Sequence, residues 1–460
     1  ALNAVVSMNT KVEATKFPKL PPAGQVSAPI PIPAVKKKLV GVIDNYVSLL
    51  PKEKDGHPMR FTAAQTYFDY GHYDDAMDRY GRLIQEIPGS KQSKSAVKIV
   101  LGYHADKSQW TKVIGWSNKF LTTKNLLDKK LNKFVVDMLR GSMFKQALAL
   151  EKAKDYDGSA KAFLAYQKKF PKDENADRAL YNAVVNFYRT SAIEDAIEVS
   201  NQMLKVYPRS KLAPNVVVQL SETYEGLAQF ENAAKYYLTL AKSYPEDKRS
   251  PGAMFNAAVL YKGLSNQDLA ARIFEDFVKM FPRDKLAAQA SLELADIRYA
   301  QSRYKDAAKA YERYVIKYKT SGDQQLYAEA RAAAIYSAHV DRRKGDRMLE
   351  ALRKKLTTKG APLAYEARRI TAQAMFKSLE PKFAMFKALK ITGGSKLEKE
   401  VSAKQQKLLE LANGYETVIT LGNVEHIVAS FFRLGEAHEN FAQALFSAPA
   451  PPGASQADLD

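Results

Sequence analysis

The stretch KVYPRSKLAP, residues 205–214, sets Tyr207 before Pro208, follows with a charge, a polar residue and Lys211, and then starts a new apolar run. AKSYPEDKRSPG (241–252) and VKMFPRDKLAA (278–288) repeat that order. Proline lacks the N–H and its ring clashes with the preceding turn, so each copy ends one helix and lets another begin. Pro171, Pro208, Pro245 and Pro282 stand 37 residues apart, and the next step lands on Lys319 in YVIKYKTSGD.

The interval holds at other positions. Phe170, Tyr207, Tyr244, Phe281 and Tyr318 come one residue earlier; Ser159, Ala196, Ala233, Ala270 and Ala307 come twelve earlier. Phe163, Ser200, Tyr237, Phe274 and Tyr311 lie eight before, and Leu150, Phe187, Tyr224, Tyr261 and Arg298 twenty-one before. An earlier copy carries Tyr67, Gly71, Tyr73, Ala76, Tyr80 and Pro88 at the same offsets. A small residue lets the two helices of a pair approach. An aromatic four residues later on the same face fills the gap to the next pair. One pair cannot bury its apolar face alone, so pairs must stack.

This register resembles the tetratricopeptide-repeat (TPR) family over residues 58–319, at a period slightly longer than the usual 34. The copy near 91–124 is degenerate: Trp110 and Val113 take the turn-aromatic and small positions, and no proline closes it. The repeat style is similar to envelope TPR proteins of Gram-negative bacteria, the outer-membrane assembly and Tol-Pal coordinator types. The ending GNVEHIVASFFRLGEAHENFAQALFSAPAPPG (422–453) is similar to large TPR proteins of envelope and gliding-motility machines in delta-proteobacteria. The fold expected is all-α: a TPR-like α-solenoid of stacked helix pairs with a C-terminal bundle of longer helices. Its parts are a Pro-rich extended arm (1–35), an opening helix (36–57), the solenoid (58–340), a long-helix region (341–447) and a Pro-rich tail (448–460). Three longer helices are expected at about 362–390, 396–421 and 423–447.

Composition bounds the chemistry. Of 460 residues, 46% are hydrophobic, enough for a sizeable core. The cysteine count is zero, which excludes a disulfide framework or thiol nucleophile and fits an exported bacterial protein. The chain begins at Ala1 rather than Met, so either a targeting segment has been removed or the sequence is a trimmed piece. No transmembrane segment is expected, because no apolar run is long enough. The net charge of +20 sits in two flanks: 14 Lys+Arg against 4 Asp+Glu in 89–154, and 18 against 7 in 339–407. Residues 155–338 carry 26 against 23. Basic flanks attract polyanions, so Lys129, Lys130, Lys133, Arg342, Arg343, Lys344, Lys354 and Lys355 form a candidate basic patch.

No catalytic constellation stands out. The six histidines are scattered, with no His-Glu-x-x-His pair. KDYDGSA (154–160) lacks the bidentate Glu of a calcium loop, and TGGSK (392–396) lacks the strand and first glycine of a phosphate loop. No cofactor or metal is expected. Asp74-Asp75 and Glu194-Asp195 are expected in the first turn of second helices, where carboxylates complement the helix dipole.

The TPR resemblance implies that the first helix of each pair lines a concave groove. By register the lining falls on Arg178, Tyr181, Tyr188, Arg189, Asn215, Glu222, Phe255, Lys262, Gln289, Asp296 and Tyr299. Aromatics, amides and both charges suit a protein segment, the chain's own Pro-rich arm included. The set does not match the Lys/Asn clamp by which chaperone-adaptor TPRs hold a carboxylate. The function expected is a non-catalytic scaffold of a bacterial envelope complex, periplasmic and associated with the outer membrane. Its partners would be other proteins of that machine, with anionic envelope polymer as a further one. The alternative is a polyanion-binding module using the basic flanks, with nucleic acid the weaker ligand.

Overall fold

The computed structural model describes residues 1–22, 24–318 and 322–449. The expected tail beyond 449 and the repeat position at Lys319 lie outside the described residues. The chain divides into two compact units, Ala1–Val216 and the part from Val217 onward. Both are helical, and the described residues include no strand.

The first unit opens with α1 (Leu2–Glu13) and α2 (Ala34–Leu49). Four helix pairs follow: α3 (Gly56–Asp69) with α4 (Tyr73–Glu86), α5 (Lys91–Asp106) with α6 (Trp110–Thr122), α7 (Lys129–Lys152) with α8 (Tyr156–Lys169), and α9 (Ala176–Arg189) with α10 (Ile193–Val206). α11 (Ala213–Gly226) contains the division between the units. The second unit continues with α12 (Phe230–Ser243), α13 (Ser250–Gly263) with α14 (Gln267–Met280), and α15 (Ala287–Ala300) with α16 (Tyr304–Tyr318). α17 (Asp323–Ile335) then pairs with α18 (Arg342–Thr357). The longer α19 (Tyr365–Ala388), α20 (Leu397–Ile419) and α21 (Val424–Phe446) pack on one another around Phe383, Phe386, Leu411 and Tyr415.

The 37-residue register has a direct physical basis. Ser159, Ala196, Ala233, Ala270 and Ala307 are fully buried, as are Phe163, Ser200, Phe274 and Tyr311 eight residues ahead of the proline positions. Within each pair the turn passes through one residue in the left-handed region: Gly71, Ser108, Lys154, Ser191, Ala228, Ser265 and Ser302. The next amide bonds back across the turn, as Gln229 N to the Tyr224 carbonyl (2.8 Å) and Ala192 N to the Phe187 carbonyl (3.0 Å). This is the Schellman closure, which satisfies the last carbonyls of a helix. The positions twenty-one before each proline therefore also supply the carbonyl that closes the turn.

Between pairs, the residue two beyond the proline position starts the next helix. Asp173, Asp247 and Asp284 each accept the amide two residues on through Oδ1, at 2.8–2.9 Å, and Ser210 does so through Oγ at 3.1 Å. Such Asx and Ser turns fix the chain's entry into a helix. This is why the punctuation carries an acidic or polar residue after the charge.

Two boundaries differ from expectation. Residues 1–35 are not wholly extended: α1 fills the proline-free start and packs on α2, burying Val5 beside Leu39, Val40 and Ile43. The segment beyond it docks on the α3–α4 turn. Ile30 N donates to the Tyr70 carbonyl (2.8 Å), His72 Nε2 contacts the Ile30 carbonyl (2.9 Å), and Tyr73 OH donates to Val26 O (3.0 Å). The arm is thus held on the first helix pair, not along the expected groove lining. The second difference is at 340, which falls inside the α17–α18 pair. A π-turn, Tyr336–Val340, replaces the left-handed turn and closes with Asp341 N on the Tyr336 carbonyl (2.9 Å). Here the 37-residue rhythm stops, although the helix pairing does not.

Candidate partner-binding groove

In the first unit the expected lining residues lie on α9 and at the start of α11. Arg178 is exposed, with its guanidinium 5.8 Å from the Phe144 ring; Tyr181, Tyr188 and Asn215 are half-buried. Arg189 is exposed but engaged: its Nη1 lies 2.5 Å from Glu151 Oε1 and its guanidinium sits over the Tyr156 ring.

In the second unit Glu222 and Gln289 are exposed. Phe255 is not available: it is 8% exposed and packs edge-on against Phe274 and Phe277 inside its own helix pair. Its aromatic surface is spent on the core, which corrects the groove assignment there. Lys262 is half-buried and paired with Glu293 (2.6 Å) on the next first helix.

Asp296 and Tyr299 are brought together with residues that sequence register did not single out. Asp296 Oδ1 accepts the Tyr327 hydroxyl (2.7 Å) and also the Tyr311 hydroxyl. Arg331 Nε donates to Tyr327 Oη (3.0 Å), and its guanidinium lies 5.0 Å from the Tyr299 ring centroid. Burial, and then Asp296, push the Tyr311 phenol up, so it stays a donor through the physiological range. Arg331 is raised despite its burial because Tyr327 and Asp296 favour the charged form.

This cluster opens onto a cleft of about 510 Å³. Tyr299, Arg331, Ile335 and the π-turn residues Ser337–Val340 form one wall, and Ile370, Gln373, Lys377 and Pro381 of α19 the other. His339 stacks on Tyr304 at 3.8 Å with the rings nearly parallel, which holds the π-turn against α16. Arg331, Arg342 and Lys377 face this space with Asp341 as the carboxylate among the lining groups. A π-turn is a single widened helical turn that often marks a functional position. Its only advance signal was the loss of the 37-residue rhythm.

The basic patch separates into two parts. Lys129, Lys130 and Lys133 are exposed on the first turns of α7. The second group is largely neutralised. Lys344 pairs with Glu312 (2.6 Å) and lies over the Tyr336 ring, Lys355 pairs with Glu329 (2.9 Å), Lys354 with Glu350 (3.8 Å) and Arg342 with Asp346 (3.7 Å). Arg343 is exposed. Two of these pairs are long-range and two are local i,i+4 contacts, so four of the five cations of this group have a carboxylate partner.

The motifs set aside at sequence level have structural duties. Asp155 caps α8 by accepting Gly158 N (2.9 Å), and Thr392 donates through its amide to Glu400 (2.6 Å). Asp74, Asp75, Glu194 and Asp195 lie in first turns of α4 and α10. Trp116 stacks on Phe120 and fills the notch over Gly81.

Residues 142–173 and 255–322 match tetratricopeptide-repeat family models. Among solved structures, PilF of Pseudomonas aeruginosa is 18% identical, covering 50% of this chain and 96% of its own, with a TM-score of 0.25. PilW, described as a widely conserved type IV pilus biogenesis factor, is 15% identical over 48% of this chain and 96% of its own (TM-score 0.26). Yeast Tom70 is 13% identical over 89% and 92% (TM-score 0.27). No curated protein matches.

Proposed function

We propose, from the premise that this chain is a tetratricopeptide-repeat protein, that it is a non-catalytic scaffold which holds a partner's extended segment in the cleft beside Tyr299 and Arg331. Stacked helix pairs of this family form surfaces for protein–protein interaction. The observation that carries the finer reading is the Asp296–Tyr299–Tyr327–Arg331 cluster. It presents a preorganised guanidinium between two aromatic rings at the mouth of an open cleft. Arg and Tyr in such settings are the usual anchors of an interface. The cleft's cations favour an acidic segment.

A photo-crosslinking side chain at Tyr299 in the intact protein tests this. Transfer to a discrete partner, abolished by Arg331→Glu, supports the reading; undiminished transfer with Arg331→Glu counts against it. We further place the protein in the bacterial envelope, on the cysteine-free composition and the repeat style. No helix among the described residues is long and apolar enough to cross a membrane. Fractionation of native cells checks the location, and a purely cytoplasmic pool refutes it. The polyanion alternative keeps Lys129, Lys130 and Lys133 as its surface. It predicts retention on an anionic matrix that falls steeply with salt.

A further inference from the structure

The last two turns of α19 and the loop after it are basic without being paired. Residues 382–399 hold five lysines, Lys382, Lys387, Lys390, Lys396 and Lys399, against one carboxylate, Glu398. All five are exposed, and none meets a carboxylate among the described residues. Lys344, Lys354, Lys355 and Lys407, by contrast, each pair with one. At about 100° per residue, Ala384, Met385, Ala388 and Leu389 fall between Lys387 and Lys382 on the outward side of α19. Phe383 and Phe386 point the other way and are buried in the bundle. Met385 is 71% and Leu389 40% exposed. The helix thus turns an apolar strip to solvent with a lysine on either flank. The strip is held in place: Lys404 Nζ donates to the Leu389 carbonyl (2.6 Å) and to Asn440 Oδ1 of α21 (2.9 Å). The same bonds bring the end of α21, with Phe446 88% exposed, to this end of the bundle.

We infer that this end of the C-terminal bundle docks on an anionic lipid surface, with Met385 and Leu389 entering the headgroup region and the five lysines on lipid phosphates. An apolar strip edged by lysines lets a helix lie on a bilayer without crossing it. The lysine stems follow the strip while their ammonium groups reach the charged layer. Three features select lipid over a protein or a nucleic acid. Every cation in 382–399 is Lys and none is Arg, whereas protein interfaces are enriched in Arg and depleted of Lys. No exposed aromatic ring stands among these residues to stack a base. Apolar side chains at the centre of a basic patch add nothing to a phosphate backbone contact, but each gains by leaving water for lipid. The surface uses none of Lys129, Lys130 and Lys133, and it does not depend on the cleft at Tyr299.

The test uses the full chain and vesicles of phosphatidylcholine with or without about 30% phosphatidylglycerol. Co-sedimentation should recover the protein with anionic vesicles, not with neutral ones, and less of it as salt rises. Lys382→Glu with Lys387→Glu and Lys390→Glu should weaken partitioning roughly 100-fold at unchanged far-UV circular dichroism, since each lysine near such a surface counts about fivefold. Lys129→Glu with Lys130→Glu and Lys133→Glu should leave it unchanged. The chain has no cysteine, so Met385→Cys supplies its sole thiol for an environment-sensitive dye. Emission from that dye should shift to the blue on anionic vesicles. A dye on Leu264→Cys, 45% exposed at the α13–α14 turn, should not shift. A wild type that ignores anionic vesicles overturns the proposal, also where the lysines hold an acidic protein. So does equal binding to neutral vesicles, full binding by the α19 triple variant, loss of binding in the α7 variant, or a dye at position 385 that stays in water.

Discussion

Asp247 performs two tasks with one carboxylate. Oδ1 accepts the Arg249 amide (2.9 Å) and so starts α13, while Oδ2 receives Arg249 Nη2 (2.7 Å). The Arg249 guanidinium, more than any other group, holds this carboxyl down to about 2. A depressed folded value means the contribution is complete above the ordinary carboxylate range, near 4, and is lost as pH falls through about 2. Denaturant titration at pH 7 and pH 2 should show this. Asp247→Asn should keep the turn but lose the acid-sensitive part, about 2 kcal/mol at most. Asp247→Ala should cost about 1 kcal/mol more through the lost amide bond. Ala228 offers a test of opposite sign. It sits in the left-handed region at φ 56°, where a Cβ is disfavoured by about 1–2 kcal/mol. Ala228→Gly should stabilise by about 0.5 kcal/mol once glycine's greater unfolded freedom is counted. Gly71→Ala should instead destabilise, because its φ is 80° and a Cβ would lie 2.6 Å from Val26 Cγ1.

At the scale of elements, the small-then-aromatic register decides how closely two helices approach. Ala233 and Ala270 are fully buried, so Ala233→Trp or Ala270→Trp should overpack the pair and cost about 1–3 kcal/mol or more. Calorimetry should show both melting well below wild type, and equal melting would show the register to be misread. The π-turn demands a closer contact still. A Cβ on Gly345 would lie 2.0 Å from Ser337 N, so only glycine lets α18 cross the turn. Gly345→Ala should therefore destabilise although alanine is the better helix former. It should also loosen the cleft wall at Ser337–Val340, seen as faster amide exchange there.

At the scale of the molecule, the helix pairs, their turns and the residues that punctuate them were legible in the sequence. A left-handed closure, an Asx turn and a small contact residue each depend on neighbours within a few positions, so they repeat wherever the local sequence repeats. The degenerate pair α5–α6 was readable for the same reason, with Trp and Val in place of Tyr and Ala. What only the tertiary structure decided depends on residues far apart in the chain. Lys344 meets Glu312, Lys355 meets Glu329, and Tyr327 and Arg331 reach Asp296, so charge that composition assigns to a surface becomes internal pairing. Phe255 left the groove because two phenylalanines of the partner helix cover it. The arm found its place through bonds from the Ile30 backbone to the Tyr70 carbonyl and the His72 ring that no pattern along the chain announces. The stripe of Val424, Val428, Phe431 and Phe432 on α21 reads in sequence as one more apolar helix face. Only folding the bundle shows which of its two apolar faces is already used and which stays exposed. Repetition is a local property, written residue by residue; pairing and exposure are settled by which distant surfaces meet.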